Sequence, residues 1–144
     1  MHSILCTRSV EQTEQFAATF AARLRAGDVV ALYGGLGMGK TAFVRGLAAG
    51  LHTTSEVSSP TFALVHEYEA DIPICHYDMY RIHSEDDLYS TGFFDYLDGN
   101  HVLVIEWSEN VEAYLPPKSI KIRLERGKTE NERQLVIADA GIGD

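Results

Sequence analysis

The feature that most restricts this chain is the run Gly34-Gly35-Leu36-Gly37-Met38-Gly39-Lys40-Thr41, which fits G-x-x-x-x-G-K-[ST]. A polyphosphate can lie against bare backbone only where side chains are absent and φ is free, and Gly34, Gly37 and Gly39 meet both demands. Backbone N–H groups and the start of the next helix then face the anion. Lys40 adds a point charge for the β and γ phosphates, and Thr41 Oγ is a hard oxygen ligand suited to Mg²⁺. Met38 reads as a gap-filler over the loop.

Context separates this run from a glycine-rich turn that happens to precede Lys-Thr. Val29-Val30-Ala31-Leu32-Tyr33 is continuously apolar, as a strand buried on both faces should be. From Lys40 to Ala49, Phe43, Val44, Leu47 and Ala48 share one helical face, with Leu51 beyond and Gly50 as the expected stop. Strand, glycine loop and amphipathic helix in that order predict a nucleotide site whose binding residues are Gly34 to Ala42.

Such a site needs a carboxylate at the end of a strand beside the loop, to hold Mg²⁺ or its water. Glu106 follows the apolar run 102–105, and Asp78 follows the weaker run 72–76, which contains a proline. Pattern favours Glu106 on the metal side. Asp78 shares that role, orients water, or only caps a turn. His76 reads as a satisfied, half-buried histidine and Trp107 as strand-end packing. Arg81, the one cation between residues 51 and 100, is expected to pair with nearby acids. Ser58-Ser59-Pro60-Thr61-Phe62 lies where nucleotide switches keep a γ-phosphate sensor, and Thr61 suits contact with Mg²⁺ or water; an ordinary Ser-Pro turn fits equally well.

The remaining elements complete the class. Ser9 and Gln12 form a capping-box pattern ahead of a helix of about four turns carrying Phe16, Phe20 and Leu24, which Gly27-Asp28 should end. Strands are expected over 61–68, 72–76 and 102–105, and a short helix after Ser84 with acidic residues in its first turn. Ile120, Ile122 and Leu124 alternate, as do Leu135 and Ile137, so 120–137 should form a hairpin with one wet face. The expectation is a single α/β domain over 1–144, three-layered and P-loop NTPase-like. Its sheet should be mostly parallel, with antiparallel C-terminal edge strands.

Composition limits the function. The net charge is −9, and residues 51–100 hold one basic against ten acidic groups. A chain so charged does not grip nucleic acid with its whole surface. Cys6 and Cys75 form no C-x-x-C pattern and read as buried or half-buried thiols in a reducing compartment. There is no basic-then-apolar leader pattern and no apolar run near the about 20 residues of a membrane span, so a cytoplasmic location is expected.

With the motifs assembled, the chain resembles the TsaE (YjeE) family, an ATPase of tRNA threonylcarbamoyladenosine biosynthesis. The resemblance rests on Leu36 to Thr41 with Arg45-Gly46, on Ser59-Pro60-Thr61-Phe62 with Glu67-Tyr68, and on His76-Tyr77-Asp78-Met79-Tyr80-Arg81. Gly92, Asp95-Tyr96 and Ile105-Glu106-Trp107 complete it, in family order from residue 9 to about 117. It implies ATP hydrolysis with Mg²⁺ and action on the TsaD and TsaB proteins, which modify adenosine 37 of tRNA. It also implies Thr41 and Glu106 as Mg²⁺ ligands, Asp78 as an active-site acid, Thr61 in a switch segment, and Ser9, Thr13 and Arg133 near the nucleotide; with Lys40 of the loop, the candidate catalytic residues are Lys40, Thr61, Asp78 and Glu106. The chain departs from the family in Gly35, where Asp is usual, in Met38, where Ala is usual, and in Ala42, where a second Thr is frequent. Two rivals stay open from the residues alone. One is a small-molecule kinase, for which an arginine-bearing lid is lacking; the other is an adaptor that binds ATP without hydrolysing it, which Gly35 keeps in play.

Overall fold

The computed structural model describes residues 2–35, 37–58 and 65–139. Seven strands form one sheet: β1 (His2–Thr7), β2 (Val29–Tyr33), β3 (Val65–Tyr68), β4 (Ile74–Asp78), β5 (Val102–Glu106), β6 (Ile120–Arg126) and β7 (Arg133–Asp139). Three α-helices join them: α1 (Val10–Phe20), α2 (Lys40–Gly50) and α3 (Glu85–Ser90). Short 3-10 segments occupy Ala21–Arg23 and Ser108–Tyr114.

The strand order is β1-β7-β6-β2-β5-β4-β3. The central pairings β6–β2, β2–β5 and β5–β4 are parallel, while β1–β7, β7–β6 and β4–β3 are antiparallel. The sheet is therefore mixed, antiparallel at both edges, and not mostly parallel. β1 gives no strong signal of its own, since Ile4, Leu5 and Cys6 run together without an apolar-polar alternation; pairing with the distant β7 makes it a strand. The other edge is antiparallel because only a short turn separates β3 from β4, too little for a crossover.

Each face of the sheet has its own core. On one side Val30, Leu32, Val104 and Ile122 meet α1 and α2 through Phe20, Phe43 and Leu47. On the other, Cys75, Tyr77, Leu103 and Ile105 meet Leu88 of α3, Phe93 and Val111. The expected three layers follow. β2 and β5 are buried along their whole length, as their unbroken apolar runs require. The β6–β7 hairpin has its dry face at Ile120, Ile122 and Leu124 and its exposed face at Arg123 and Glu125.

Helix entry is local chemistry. Ser9 Oγ accepts from Gln12 N–H at 3.1 Å, and Gln12 Oε1 accepts from Arg8 N–H at 2.8 Å. The glutamine thus reaches one residue beyond the cap of an ordinary capping box. α3 repeats the device, with Asp87 N–H donating to Ser84 Oγ at 3.1 Å and His83 N–H donating to Asp87 Oδ2 at 3.0 Å.

The two long helices close differently. α1 passes into the 3-10 turn and ends at Arg23, before Gly27. α2 does end at Gly50, but the left-handed residue that follows its end is His52, with φ 63°. Gly46 and Gly50 lie one turn apart and let α2 press on α1, since a Cβ on either would enter the backbone of Glu14 or Ala18. Cys6 is also exposed, contrary to expectation, because β1 turns it to the uncovered side of an edge strand; Cys75 is buried as expected. Arg81 is exposed and forms no ion pair among the described residues. No helix of the described residues is long and apolar enough to cross a membrane.

Gly46→Ala should lower stability by about 1–3 kcal/mol through overpacking, although alanine is the better helix former. Gly35→Asp, at a position where a Cβ meets nothing within 4 Å, should stay within about 0.5 kcal/mol of wild type. Urea midpoints measure both, and a higher midpoint for Gly46→Ala would contradict the close-approach account.

Candidate functional site

Parallel pairing brings the C-terminal ends of β2, β4 and β5 to one edge of the sheet, where open α/β sheets keep their ligands. β2 ends in the glycine loop, β4 in Asp78 and β5 in Glu106. Asp78 and Glu106 are direct cross-strand partners, which makes them neighbours despite their separation in sequence. In the loop, Gly34, Gly37 and Gly39 take φ of 141°, 77° and 102°, values that L side chains rarely adopt. The last of these places Thr41 in the first turn of α2, facing β5.

Thr41 Oγ1 donates to Glu106, 3.2 Å from Oε1 and 3.3 Å from Oε2. Glu106 is only 4% exposed. Asp78 is half-buried, and its Oδ1 accepts Tyr80 N–H at 2.9 Å. The turn-cap reading of Asp78 is thus correct alongside its place in the cleft. Burial raises the Asp78 pKa above the usual carboxylate value, with Glu106 pushing the same way; the Tyr80 amide and the charges of His76 and Lys40 pull it down.

Lys40 is 6% exposed. Its ammonium donates to the Gly34 carbonyl and, at 3.2 Å, to the Gly35 carbonyl. It also lies 4.0 Å from the centre of the Trp107 ring, which meets Tyr80 at a tilt of 55° with ring centres 5.0 Å apart. Burial lowers the Lys40 pKa, and Glu106, Glu109 and Asp78 oppose that shift. The lysine charge is therefore held over its own loop by carbonyls, a π face and three acids.

A cleft of about 460 Å³ is lined by Gly37 to Ala42 together with Asp78, Tyr80, Glu106 and Trp107. A smaller hollow of about 100 Å³ lies on the other side of the loop, lined by Ser9, Thr13, Gly37, Gly39, Ala42, Asn131 and Arg133 among others. Arg133 donates to the Gly37 carbonyl at 3.2 Å, and Thr13 shares a 2.6 Å hydroxyl contact with Thr7. The fold so gathers Gly37 to Thr41, Asp78 and Glu106 in one cleft, with Ser9, Thr13 and Arg133 beside it. Leu36 and Thr61 lie outside the described residues.

The residue reading missed three participants. His76 is satisfied as expected, but it is fully buried, not half-buried, and one of its partners is Glu106. Trp107 receives Lys40 in place of merely packing, and it does so from a left-handed backbone with φ 59°, which no strand pattern announces. Glu109 accepts Gly34 N–H at 3.3 Å.

The donor set suits a hard cation: one hydroxyl and two carboxylates beside the glycine loop. No group of three acidic, histidine or cysteine residues that could hold a metal occurs among the described residues. A Mg²⁺ ion here would thus share its coordination with phosphate and water, as that ion commonly does.

Sheet, loop and paired acids define an α/β protein with a G-x-x-x-x-G-K-T loop at its strand ends. The model of the family "Threonylcarbamoyl adenosine biosynthesis protein TsaE" matches residues 7–135. The tRNA threonylcarbamoyladenosine biosynthesis protein TsaE of Treponema pallidum is 37% identical over 132 residues, covering 92% of this chain and 97% of the relative. That of Rickettsia typhi is 41% identical over 128 residues, covering 86% and 85%. The crystal structure of Bacillus subtilis YdiB superposes with a TM-score of 0.84 at 32% identity, covering 98% of this chain and 87% of that one. The chain belongs to the TsaE family, of tRNA threonylcarbamoyladenosine biosynthesis.

Because burial raises the Asp78 pKa, its ionised form opposes folding at neutral pH, and that opposition vanishes once both states are protonated. Asp78→Asn should therefore raise Tm at pH 7 and leave it unchanged below about pH 3. Thermal unfolding at both pH values checks this; equal shifts at both would contradict it.

Proposed function

We propose that this protein is a Mg²⁺-dependent P-loop ATPase that acts as a switch on a TsaB–TsaD complex in the modification of adenosine 37 of tRNA. The observation that carries the reading is the contact of Thr41 with Glu106 beside the glycine loop: the hydroxyl and the carboxylate that the chemistry needs meet at one point. The loop amides and the start of α2 would hold the phosphates, and Lys40 would leave the Gly34 and Gly35 carbonyls to meet them. Thr41 and Glu106 would hold Mg²⁺, which neutralises charge on the phosphate oxygens. Asp78, its pKa raised by burial, is suited to orient the attacking water and take its proton. Ser9, Thr13 and Arg133 border the hollow where the rest of the nucleotide would extend.

Among the described residues no arginine lines the cleft beside Asp78 and Glu106, so the isolated chain should turn over slowly. The same lack weighs against a small-molecule kinase, which closes arginines over its phosphates. The acidic charge of residues 51–100 suits docking to proteins better than gripping RNA. A cytoplasmic location agrees with this role.

Lys40→Ala should abolish the thermal shift produced by Mg²⁺-ATP. Glu106→Gln should cut Mg²⁺-dependent phosphate release by more than about tenfold while leaving Tm near wild type. Phosphate release measured with and without TsaB–TsaD tests the switch. Release that requires an added acceptor would indicate a kinase, and none in either condition would indicate an adaptor.

A further inference from the structure

Glu106 does not hold its orientation alone. Its Oε2 lies 2.6 Å from His76 Nε2, and both residues are buried. His76 sits two residues before Asp78 on β4 and opposite Val104 of β5, so all four side chains project to the α2 side of the sheet. His76 Nδ1 lies in turn 2.9 Å from the Tyr68 hydroxyl, whose oxygen is also 3.2 Å from the Ser58 carbonyl. A polar chain thus runs beneath the first turn of α2, from Thr41 through Glu106 and His76 to Tyr68, inside an otherwise apolar core.

The proton positions that matter follow from the groups themselves. A carboxylate only accepts, so the short Nε2 contact requires the hydrogen on Nε2. That holds whether the ring carries one proton or two. Nδ1 is then supported by the Tyr68 oxygen, which fixes the plane of the ring. With Oε2 held by His76, the carboxylate cannot rotate without breaking a buried hydrogen bond; Thr41 Oγ1 faces both oxygens, 3.2 Å from Oε1 and 3.3 Å from Oε2, so Oε1 is the oxygen without a histidine partner. Burial alone asks for both nitrogens to be engaged; what goes beyond packing is that one of the partners is an acid of the site.

We propose that His76 is the positioning residue of Glu106: its Nε2–H clamps one carboxylate oxygen so that the other is presented at the cleft, and Tyr68 holds the imidazole in that orientation. The proposal rests on the metal-side reading of Glu106 given above. An outer partner of this kind commonly changes metal affinity by about 10–100-fold.

The test is binding, not turnover. The full chain is loaded with the non-hydrolysable analogue adenylyl imidodiphosphate, and Mn²⁺ is titrated in by electron paramagnetic resonance. His76→Leu, similar in volume and without a donor, should weaken Mn²⁺ binding by about tenfold or more and leave analogue binding in EDTA unchanged. His76→Gln, whose amide N–H reaches toward the same oxygen, should recover most of the loss. A role in packing alone would not tell Leu from Gln in this way. Wild-type Mn²⁺ affinity in His76→Leu, or a loss that Gln does not repair, overturns the proposal. Should His76→Leu fail to fold, Tyr68→Phe removes one hydroxyl and keeps the ring; a loss of about threefold or more supports the chain, and wild-type affinity overturns it. Glu106→Gln separates the two layers of argument. If that variant binds Mn²⁺ normally, the metal reading of Glu106 fails; if it binds weakly while His76→Leu binds normally, only the role of His76 fails.

Discussion

The register of β4 on β5 is the constraint on which the site depends. One parallel ladder sets Asp78 opposite Glu106 and His76 opposite Val104. A slip of one residue would turn the acids to opposite faces and send one of them into the α3 core. Slip is opposed because β5 is buried along its whole length and its two faces feed two separate cores. The hydrophobic register of the sheet is thus what fixes the chemical register of the site.

Against that frame the loop keeps its charges close. Lys40 is pressed between two loop carbonyls and the Trp107 ring, with Glu106, Glu109 and Asp78 close enough to oppose its loss of the proton. Burial raises the Asp78 pKa in the same cleft. Unlike charges so near in a half-buried cleft stabilise one another, yet their desolvation is only partly offset. In the proposed reading a bound nucleotide would take over the partners that the loop now supplies to Lys40. The α1–α2 contact, made close by Gly46 and Gly50, holds the base of α2 while Thr41 works at its tip.

Where residue reasoning fell short, tertiary partners explain it. The sheet is mixed, with β1 added by a chain segment that carries no strong strand signal. Gly50 ends α2 as expected and also serves a helix–helix contact, because the same residue type answers both demands. Cys6 is apolar enough to be expected inside, yet it lies on the uncovered side of an edge strand. The pattern shows His76 only as a satisfied histidine and Trp107 only as strand-end packing, since nothing in their neighbours along the chain tells which side chains they face.

The sequence by itself determined the parts whose causes are local. These are the glycine loop with its lysine and threonine, the capped helix starts, the doubly buried strands β2 and β5, the wet-faced hairpin, and both acids at strand ends. Each follows from conformational freedom, periodicity or capping within a few residues. Only the tertiary structure decided that Asp78 and Glu106 are neighbours, that Thr41 and His76 hold Glu106 from two sides, and that Lys40 rests on Trp107. Those relations join residues brought near by strand order and register, and strand order is settled by how three layers bury two apolar faces at once.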